Sequence, residues 1–364
     1  LAGQTTQGIQ AIAVGNGAGK TNQGNYSVAL GGSAGDGSQS DFGIAVGMLS
    51  GQYLQGASAV AIGRAAGNSD QGASAVAIGK EAGNGIFSNS TYVSHTGTNL
   101  QLISTAGIPV GAKISNTVGV TTGTTVTAIV DATNVTLNQA LTGSVNDYSG
   151  GIISHYSGQG DNATALGNSA GFNGQGADAI AIGTGAGNTN QGTNAVAIGN
   201  GAGITTQATS AVAIGTRAGE ISQLAYAIAI GDYAGKSAQS GAAVAIGRNS
   251  GKVSQGNKAI AIGESSGGTN QGSDGIAIGF NSAGFFQGQD AIALGRRAGG
   301  TREGTKGIAI GYEAALGTTV NATYVSGNVV DSSLVVNDVS GIEVGMRVSG
   351  QGYVESIGVD FYVI

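Results

Sequence analysis

Small and aliphatic residues alternate in a five-residue pattern, A-[VI]-A-[ILV]-G, that recurs along most of the chain. Its closing glycine, here called the marker glycine, stands at 15, 31, 47, 63 and 79, and then at every sixteenth position from 167 to 311. Alternation with a period of two predicts a short β-strand, and a fixed period of this length predicts a stack of similar coils. The sequence therefore predicts an all-β fold, a parallel β-solenoid with 16 residues per coil and 15 coils, five before a break and ten after it.

The two faces of each predicted strand differ in side-chain size. The residues one and three positions before the marker glycine are aliphatic in every unit except for Thr164, whereas the residue two positions before it is always Ala. We expect the larger side chains to form the coil core, namely Ile12, Val14, Val60, Ile62, Ile180, Ile182, Val196, Ile198, Ile228, Ile230, Ile308 and Ile310. We expect the Ala face to pack against another chain, because small residues let two backbones approach closely. This interchain face comprises Ala13, Ala29, Ala45, Ala61, Ala77, Ala181, Ala197, Ala213, Ala229 and Ala245, and a flat Ala face exposed to water is the alternative.

A column of glutamines is the third regular feature. Gln stands eight positions before the marker glycine in fourteen of the fifteen units, and Glu303 replaces it in the last. Equivalent residues of parallel coils stack about 4.7–4.9 Å apart, so their side-chain amides can hydrogen-bond along the stack. We expect a structural ladder, because a catalytic residue need not recur in every coil. Its members are Gln7, Gln23, Gln39, Gln55, Gln71, Gln159, Gln175, Gln191, Gln207, Gln223, Gln239, Gln255, Gln271 and Gln287.

A break of 88 residues separates Gly79 from Gly167, which is 72 more than one period. Short Thr- and Val-rich runs between turn residues predict a small β-domain there. The tetrapeptide T-Y-V-S at 91–94 recurs at 323–326, and Tyr92 and Tyr324 each follow a marker glycine by 13 positions. We therefore expect a solenoid over 1–86, an inserted β-domain over 87–156, a second solenoid over 157–318, and an incomplete second copy of the insertion over 319–364. We also expect the full-length protein to continue past this second copy.

The A-V-A-I-G units, each followed by a small residue and Gly, resemble the head repeats of YadA-like trimeric adhesins. The likeness covers all fifteen units and implies a left-handed β-roll in each chain, with three chains side by side as a homotrimer. Units in that family are shorter than sixteen residues and lack the Gln-Gly step. Repeats with Gln-Gly turns are similar to those of fibre proteins from bacteriophages and large viruses, and the inserted module resembles small β-modules of phage tail proteins.

Composition excludes several classes of protein. Charged residues make up 9% of the chain, and its 14 basic residues are spread singly within a net charge of −6, so no basic surface for nucleic acid is predicted. No apolar stretch is long enough to span a membrane, and without Cys there is no disulfide framework. The Gly-Lys-Thr run at 19–21 suggests a phosphate-binding loop, but that motif requires Gly where Val14 stands.

Residues suited to catalysis or metal binding are sparse. The two histidines, His95 and His155, lack the spacing of a metal site, and we expect no metal and no cofactor. A hydrolytic pair would need the fold to bring two scattered carboxylates together. The candidates are Asp36, Asp41, Asp70 and Asp161.

Charged and aromatic residues concentrate at the variable positions that follow the marker glycine, among them Arg217 and Tyr233. Variation within a strict repeat predicts the solvent-facing side of the coil. Phe280, Phe285 and Phe286 crowd one part of this side. An exposed aromatic group can be a binding surface, and local packing at an irregular unit is the alternative.

These features predict a non-enzymatic fibre or adhesin segment, located outside the cell on a virion or a cell surface. Attachment would come from many weak copies of one contact. The expected partners are the chain itself, as a homotrimer or filament, and a host-surface receptor such as a glycan, with no nucleic acid and no membrane insertion. A filament or sheath protein without a receptor is a second class. An ice-binding solenoid is a third, although the irregular placement of Thr counts against it.

Overall fold

A computed structural model of the chain describes residues 1–96, 98–102, 113–115, 124, 126–138, 140, 152–300 and 304–315, together with four short strands near the C-terminus. The chain divides into two compact units, Leu1–Leu316 and Gly317–Ile364. Every regular element among the described residues is a β-strand, which confirms the all-β class.

The pattern before each marker glycine forms a three-residue strand, here called the marker strand. All fifteen marker strands join one parallel sheet in sequence order. Each pairs with the next in the register that the sequence repeat sets, so that Ala197 lies opposite Ala213 and Ile198 opposite Ile214. The strands are Ile12–Val14, Val28–Leu30, Ile44–Val46, Val60–Ile62, Val76–Ile78, Thr164–Leu166, Ile180–Ile182, Val196–Ile198, Val212–Ile214, Ile228–Ile230, Val244–Ile246, Ile260–Ile262, Ile276–Ile278, Ile292–Leu294 and Ile308–Ile310. The predicted parallel β-solenoid is thereby confirmed.

A second parallel strand, here called the Gln strand, ends at the ladder Gln in twelve of the described coils. These strands are Thr5–Gln7, Thr21–Gln23, Tyr53–Gln55, Ser69–Gln71, Asn173–Gln175, Thr189–Gln191, Thr205–Gln207, Ile221–Gln223, Ser237–Gln239, Val253–Gln255, Thr269–Gln271 and Phe285–Gln287. Single parallel bridges through Gln39 and Gln159 connect the coils that lack a full Gln strand. The coil is therefore narrow, with a short strand on each of two sides.

The interior of the coil is the reverse of the predicted one. The marker-strand Ala residues point inward and are fully buried from Ala29 to Ala293, whereas the flanking aliphatic side chains are half-buried or exposed. The predicted interchain face, Ala13, Ala29, Ala45, Ala61, Ala77, Ala181, Ala197, Ala213, Ala229 and Ala245, is thus the inner face of the coil, with Ala13 only partly buried in the first one. The predicted core residues Ile12, Val14, Val60, Ile62, Ile180, Ile182, Val196, Ile198, Ile228, Ile230, Ile308 and Ile310 lie on the outer face.

The width of the coil explains this reversal. A second buried column, of Ala or Ser three positions after each marker glycine, packs against the marker-strand column, as Ala218 does beside Ala213. Because interiors are packed without voids, a space this narrow accepts a methyl group and excludes a branched side chain. The small Ala side chains do allow two backbone segments to approach closely, as predicted, but both segments belong to the same chain.

Left-handed backbone conformations turn the coil at its corners. In one coil Arg217, Ser222 and Tyr226 have φ of 52°, 56° and 62°, and Gly219 has φ of 53°. The marker glycine is required by the close packing of successive coils. A Cβ on Gly215 would lie 2.7 Å from the backbone of Gly231 in the next coil, so no other residue fits there.

The insertion forms a six-stranded antiparallel sheet that leaves the solenoid at residue 86 and returns at residue 157. Its strands, in spatial order, are Lys113–Ser115, Ile152–Ser157, Ile86–Thr96, Asn99–Leu102, Asn134–Leu137 and Val126–Ile129. Leu100, Leu102 and Val135 are among its fully buried side chains. The sheet extends one residue beyond the predicted bounds of 87–156 at each end.

The C-terminal unit contains the strands Tyr324–Ser326, Val335–Val336, Arg347–Val348 and Phe361–Tyr362, which form two antiparallel pairs. Tyr324 pairs with Val336, and the register shifts before Ser326. In the insertion Tyr92 pairs with Leu102, and the register shifts in the same place, before Ser94. Tyr92 to Ser94 and Tyr324–Ser326 therefore form equivalent irregular strands. The predicted end of the solenoid at 318 lies outside the described residues.

Candidate interaction face

The outer surface of the marker sheet carries two parallel columns of aliphatic side chains, here called the aliphatic face. One column consists of the residues three positions before each marker glycine, and the other of the residues one position before it. Because the strands pair in register, equivalent residues of successive coils lie next to each other, for example Val212 beside Ile228 and Ile214 beside Ile230. Thr164 is the single polar member. The face therefore runs without a charge along all fifteen coils.

The aliphatic face is accessible in the single chain. Within the stack, away from its ends, Ile62, Ile230, Ile246 and Ile278 are 36–39% exposed. Fifteen strands extend about 67 Å, and a three-residue strand is about 10 Å wide, so the face covers on the order of 650 Å². A monomer rarely exposes a contiguous apolar surface of this size unless it binds something. Each partner in a stable protein interface contributes roughly 800 Å².

The predicted Gln ladder is present inside the coil. The Nε2 atom of Gln223 donates to the carbonyl oxygens of Val212 at 2.8 Å and Ala227 at 3.2 Å, and to Oε1 of Gln239 at 3.0 Å. The same amide-to-amide bond links each member from Gln191 to Gln287, and again Gln55 to Gln71 and Gln71 to Gln159. Gln7, in the first coil, is exposed and bonds only to Ala11 within the described residues. Glu303 lies outside the described residues.

This column adds a hydrogen bond to backbone carbonyls that line the narrow interior, such as that of Ala227, which also accepts the backbone N–H of Val212 at 2.9 Å. From Gln39 to Gln287, each buried Gln bridges the marker strand to a turn, because one amide reaches carbonyl oxygens on both sides of the interior. A side-chain amide buried without partners would be costly. The ladder is therefore structural, because its side-chain amides form hydrogen bonds inside the coil and are not exposed to solvent.

The candidate carboxylates have structural contacts. Oδ1 of Asp41 accepts a hydrogen bond of 2.7 Å from the backbone N–H of Asn25, and Oδ1 of Asp161 accepts one of 2.8 Å from Ala73. Each links a turn to the same turn of the preceding coil. Asp70 is buried within a Gln strand, and Asp36 directly follows a turn. Nothing among the described residues brings two of these four carboxylates together as a hydrolytic pair.

The histidines lie on neighbouring strands of the insertion, where His95 pairs with Leu100 and His155 with Ser88. Across the part of the chain that the structure describes, no group of three or more His, Asp or Glu side chains is placed to hold a metal ion. Within the same residues, no helix has the length and apolar character that a membrane crossing requires.

Charged residues at the variable positions pair between coils on the outer surface. Arg64 lies 2.6 Å from Glu81, Arg297 lies 2.9 Å from Glu313, and Arg248 pairs with Glu264. The hydrogen bond from Arg297 is the main reason that the pKa of Glu313 is lowered from its usual value. Exposed pairs of this kind contribute little to stability. These contacts agree with the prediction that the variable positions face solvent.

Two groups of exposed aromatic residues lie on the solenoid. Phe280, Phe285 and Phe286 are all exposed, and Arg296 lies 5.7 Å from the centre of the Phe280 ring. Near the N-terminus, the rings of Tyr26 and Phe42 stack with their centres 5.2 Å apart. This stacked pair was not predicted from the sequence, although the two residues stand one period of sixteen apart, and that spacing was the available signal.

No family model matches this chain, and neither a curated protein nor a solved structure matches it. The resemblance to YadA-like heads and to viral fibre proteins therefore stays a prediction that rests on the repeat itself.

Proposed function

We propose that this chain is a non-enzymatic segment of an extracellular fibre, in which three identical chains pack their aliphatic faces together along the rod. The observation that carries the proposal is the aliphatic face, which runs along all fifteen coils without a charged residue. Burying it removes a large apolar surface from water, at about 25 cal/mol for each Å². The resemblance to trimeric adhesin heads supports three chains rather than two.

In this proposal the remaining sides of the rod face outward and make the contacts of the fibre. They carry Asn, Gln, Ser and Thr, with scattered charged and aromatic side chains at the turns. Because each coil repeats the same frame, a weak contact made by one coil can recur along the rod. The inserted sheet lies in the chain between the fifth and sixth coils and would add to this surface.

Electron microscopy of the purified chain, with and without residues 86–157, tests this function. Discrete rods with a lateral projection that disappears in the deletion variant are expected for a fibre segment. Binding of the rods to a surface that presents the receptor should fall when the projection is removed. Open-ended filaments whose length shortens in the deletion variant, with surface binding absent from both proteins, would instead support an architectural filament.

A further inference from the structure

One group of charged side chains surrounds a single tyrosine and takes no part in the aliphatic face. The guanidinium of Arg217 and the ammonium groups of Lys236 and Lys252 lie 5.8, 5.2 and 5.8 Å from the centre of the Tyr233 ring. These three cations come from three successive coils, whose marker glycines are 215, 231 and 247. With Glu220 they are here called the Tyr233 cluster.

The accessible charge of the Tyr233 cluster is positive. Glu220 lies 3.5 Å from Lys236 and 3.9 Å from the Nε atom of Arg217, but only 14% of its side chain is exposed. Arg217 is 46% exposed. Lys252 forms no ion pair with any described residue. Like charges held close together repel, and the Tyr233 ring offsets this by attracting each cation to its π face. The ring therefore holds three cations in place, and an anion could bridge these cations.

The surroundings of the cluster limit the kind of anion. Asp232 is exposed beside Tyr233, and Arg248, in the same coil as Lys252, already pairs with Glu264. A dense polyanion such as nucleic acid would meet these carboxylates and the net negative charge of the chain. Thr216 and Asn249 flank the cluster and offer hydroxyl and amide groups. A polymer with spaced negative charges and many hydroxyl groups fits this combination.

We propose that the Tyr233 cluster binds an acidic polysaccharide, whose sulfate or carboxylate groups contact Arg217 and Lys252. The inference rests on the proposed function, since it names the class of receptor that the fibre would meet. Arg217 offers the forked donors that suit such oxyanions. The three cations are spaced by about 4.8 Å for each coil, so an extended chain can lie along the rod. Tyr233 is a positioning residue that acts through the cations.

Binding of the full chain to dextran sulfate and to uncharged dextran of the same mass tests the proposal. We expect binding to dextran sulfate that weakens with added salt, and none to uncharged dextran. Lys252→Gln should weaken binding by about two- to fivefold, the size of an exposed ion pair. Tyr233→Leu should weaken it as well, and Tyr233→Phe should restore it, because the ring rather than the hydroxyl holds the cations.

Lys80→Gln is the matched control, since Lys80 is an exposed lysine beside Glu81 with no described ring near it. An equal loss in Lys80→Gln and Lys252→Gln would overturn the proposal, as would equal binding of the two dextrans. Tighter binding of single-stranded DNA or of polyglutamate than of dextran sulfate would overturn the choice of a polysaccharide. None of these results changes the mass or the rod shape of the protein, so they leave the proposed fibre function standing.

Discussion

Gln71 and Gln159 are 88 positions apart in the chain, yet Nε2 of Gln71 donates a hydrogen bond of 3.2 Å to Oε1 of Gln159. The marker strands on either side also pair in the normal register, with Ala77 opposite Ala165. The solenoid therefore continues across the insertion as though the inserted residues were absent. The inserted sheet is an addition to one turn of one coil.

Deleting residues 86–157 should leave the solenoid folded. The deletion joins Gly85 to Gly158 and removes 72 residues, which restores the sixteen-residue spacing between Gly79 and Gly167. We expect a β-type circular dichroism spectrum and a melting midpoint within about 5 °C of the parent chain.

A deletion of residues 86–156, one residue shorter, is the control for this prediction. It leaves a spacing of seventeen positions from one marker glycine to the next, which places an extra residue in the coil and disturbs the register. Its melting midpoint should be clearly lower. Equal midpoints for the two deletions would contradict a continuous register through the insertion.

Replacing Gln223 with Leu should destabilise the solenoid. Gln223 is fully buried, and its amide serves the carbonyl oxygens of Val212 and Ala227. Leu has a similar volume but removes the donor to Oε1 of Gln239, and a buried acceptor left without its partner costs about 1–3 kcal/mol. The measurement is the guanidinium unfolding midpoint. Gln289→Leu, at an exposed position, is the control and should leave the midpoint nearly unchanged.

Two adjacent alanines should respond in opposite directions to glycine. Ala242 is exposed with φ of 53°, a conformation that costs a residue with a Cβ about 1–2 kcal/mol, so Ala242→Gly should raise the unfolding midpoint. Ala243 is fully buried, and Ala243→Gly should lower the midpoint because it removes a packed methyl group and adds backbone freedom. A shift of both midpoints in the same direction would contradict the account of the coil corners.

Charges placed on the aliphatic face should separate the chains. Ile214 and Ile246 lie two coils apart in one column of the face, and Ile214→Glu with Ile246→Glu would bury unpaired carboxylates in every interface. We expect sedimentation to show dissociation to single chains. Thr205→Glu with Ser237→Glu places the same charges two coils apart on the Gln strands and should leave the assembly intact. Dissociation in both proteins would contradict the role of the aliphatic face.

The repeat allowed the fold to be predicted because the solenoid register copies the sequence period. Ala181 pairs with Ala197, and Gln191 bonds to Gln207, at the spacing that the sequence shows. Which face of the marker strand points into the coil could not be predicted from the repeat. Alternation separates Ile182 from Ala181 but does not say which side is enclosed, and the usual rule that large apolar residues lie inside fails when the interior is too narrow for them.

The candidate interaction sites were predicted less well, for a related reason. The left-handed corners carry varied residues such as Arg217 and Tyr226, so their conformation has no residue signature apart from the glycines. The cluster around Tyr233 depends on contacts between three coils, and these appear only when the sixteen-residue units are stacked. The variable positions were correctly placed outside, but their partners were not predicted.

Multi-angle light scattering of the purified chain tests whether the aliphatic face joins three copies. One chain has a mass of 35.1 kDa. We expect a trimer of three times that mass, which persists on dilution and at high salt, because apolar contacts are not screened by ions. A monodisperse species of 35.1 kDa would contradict it.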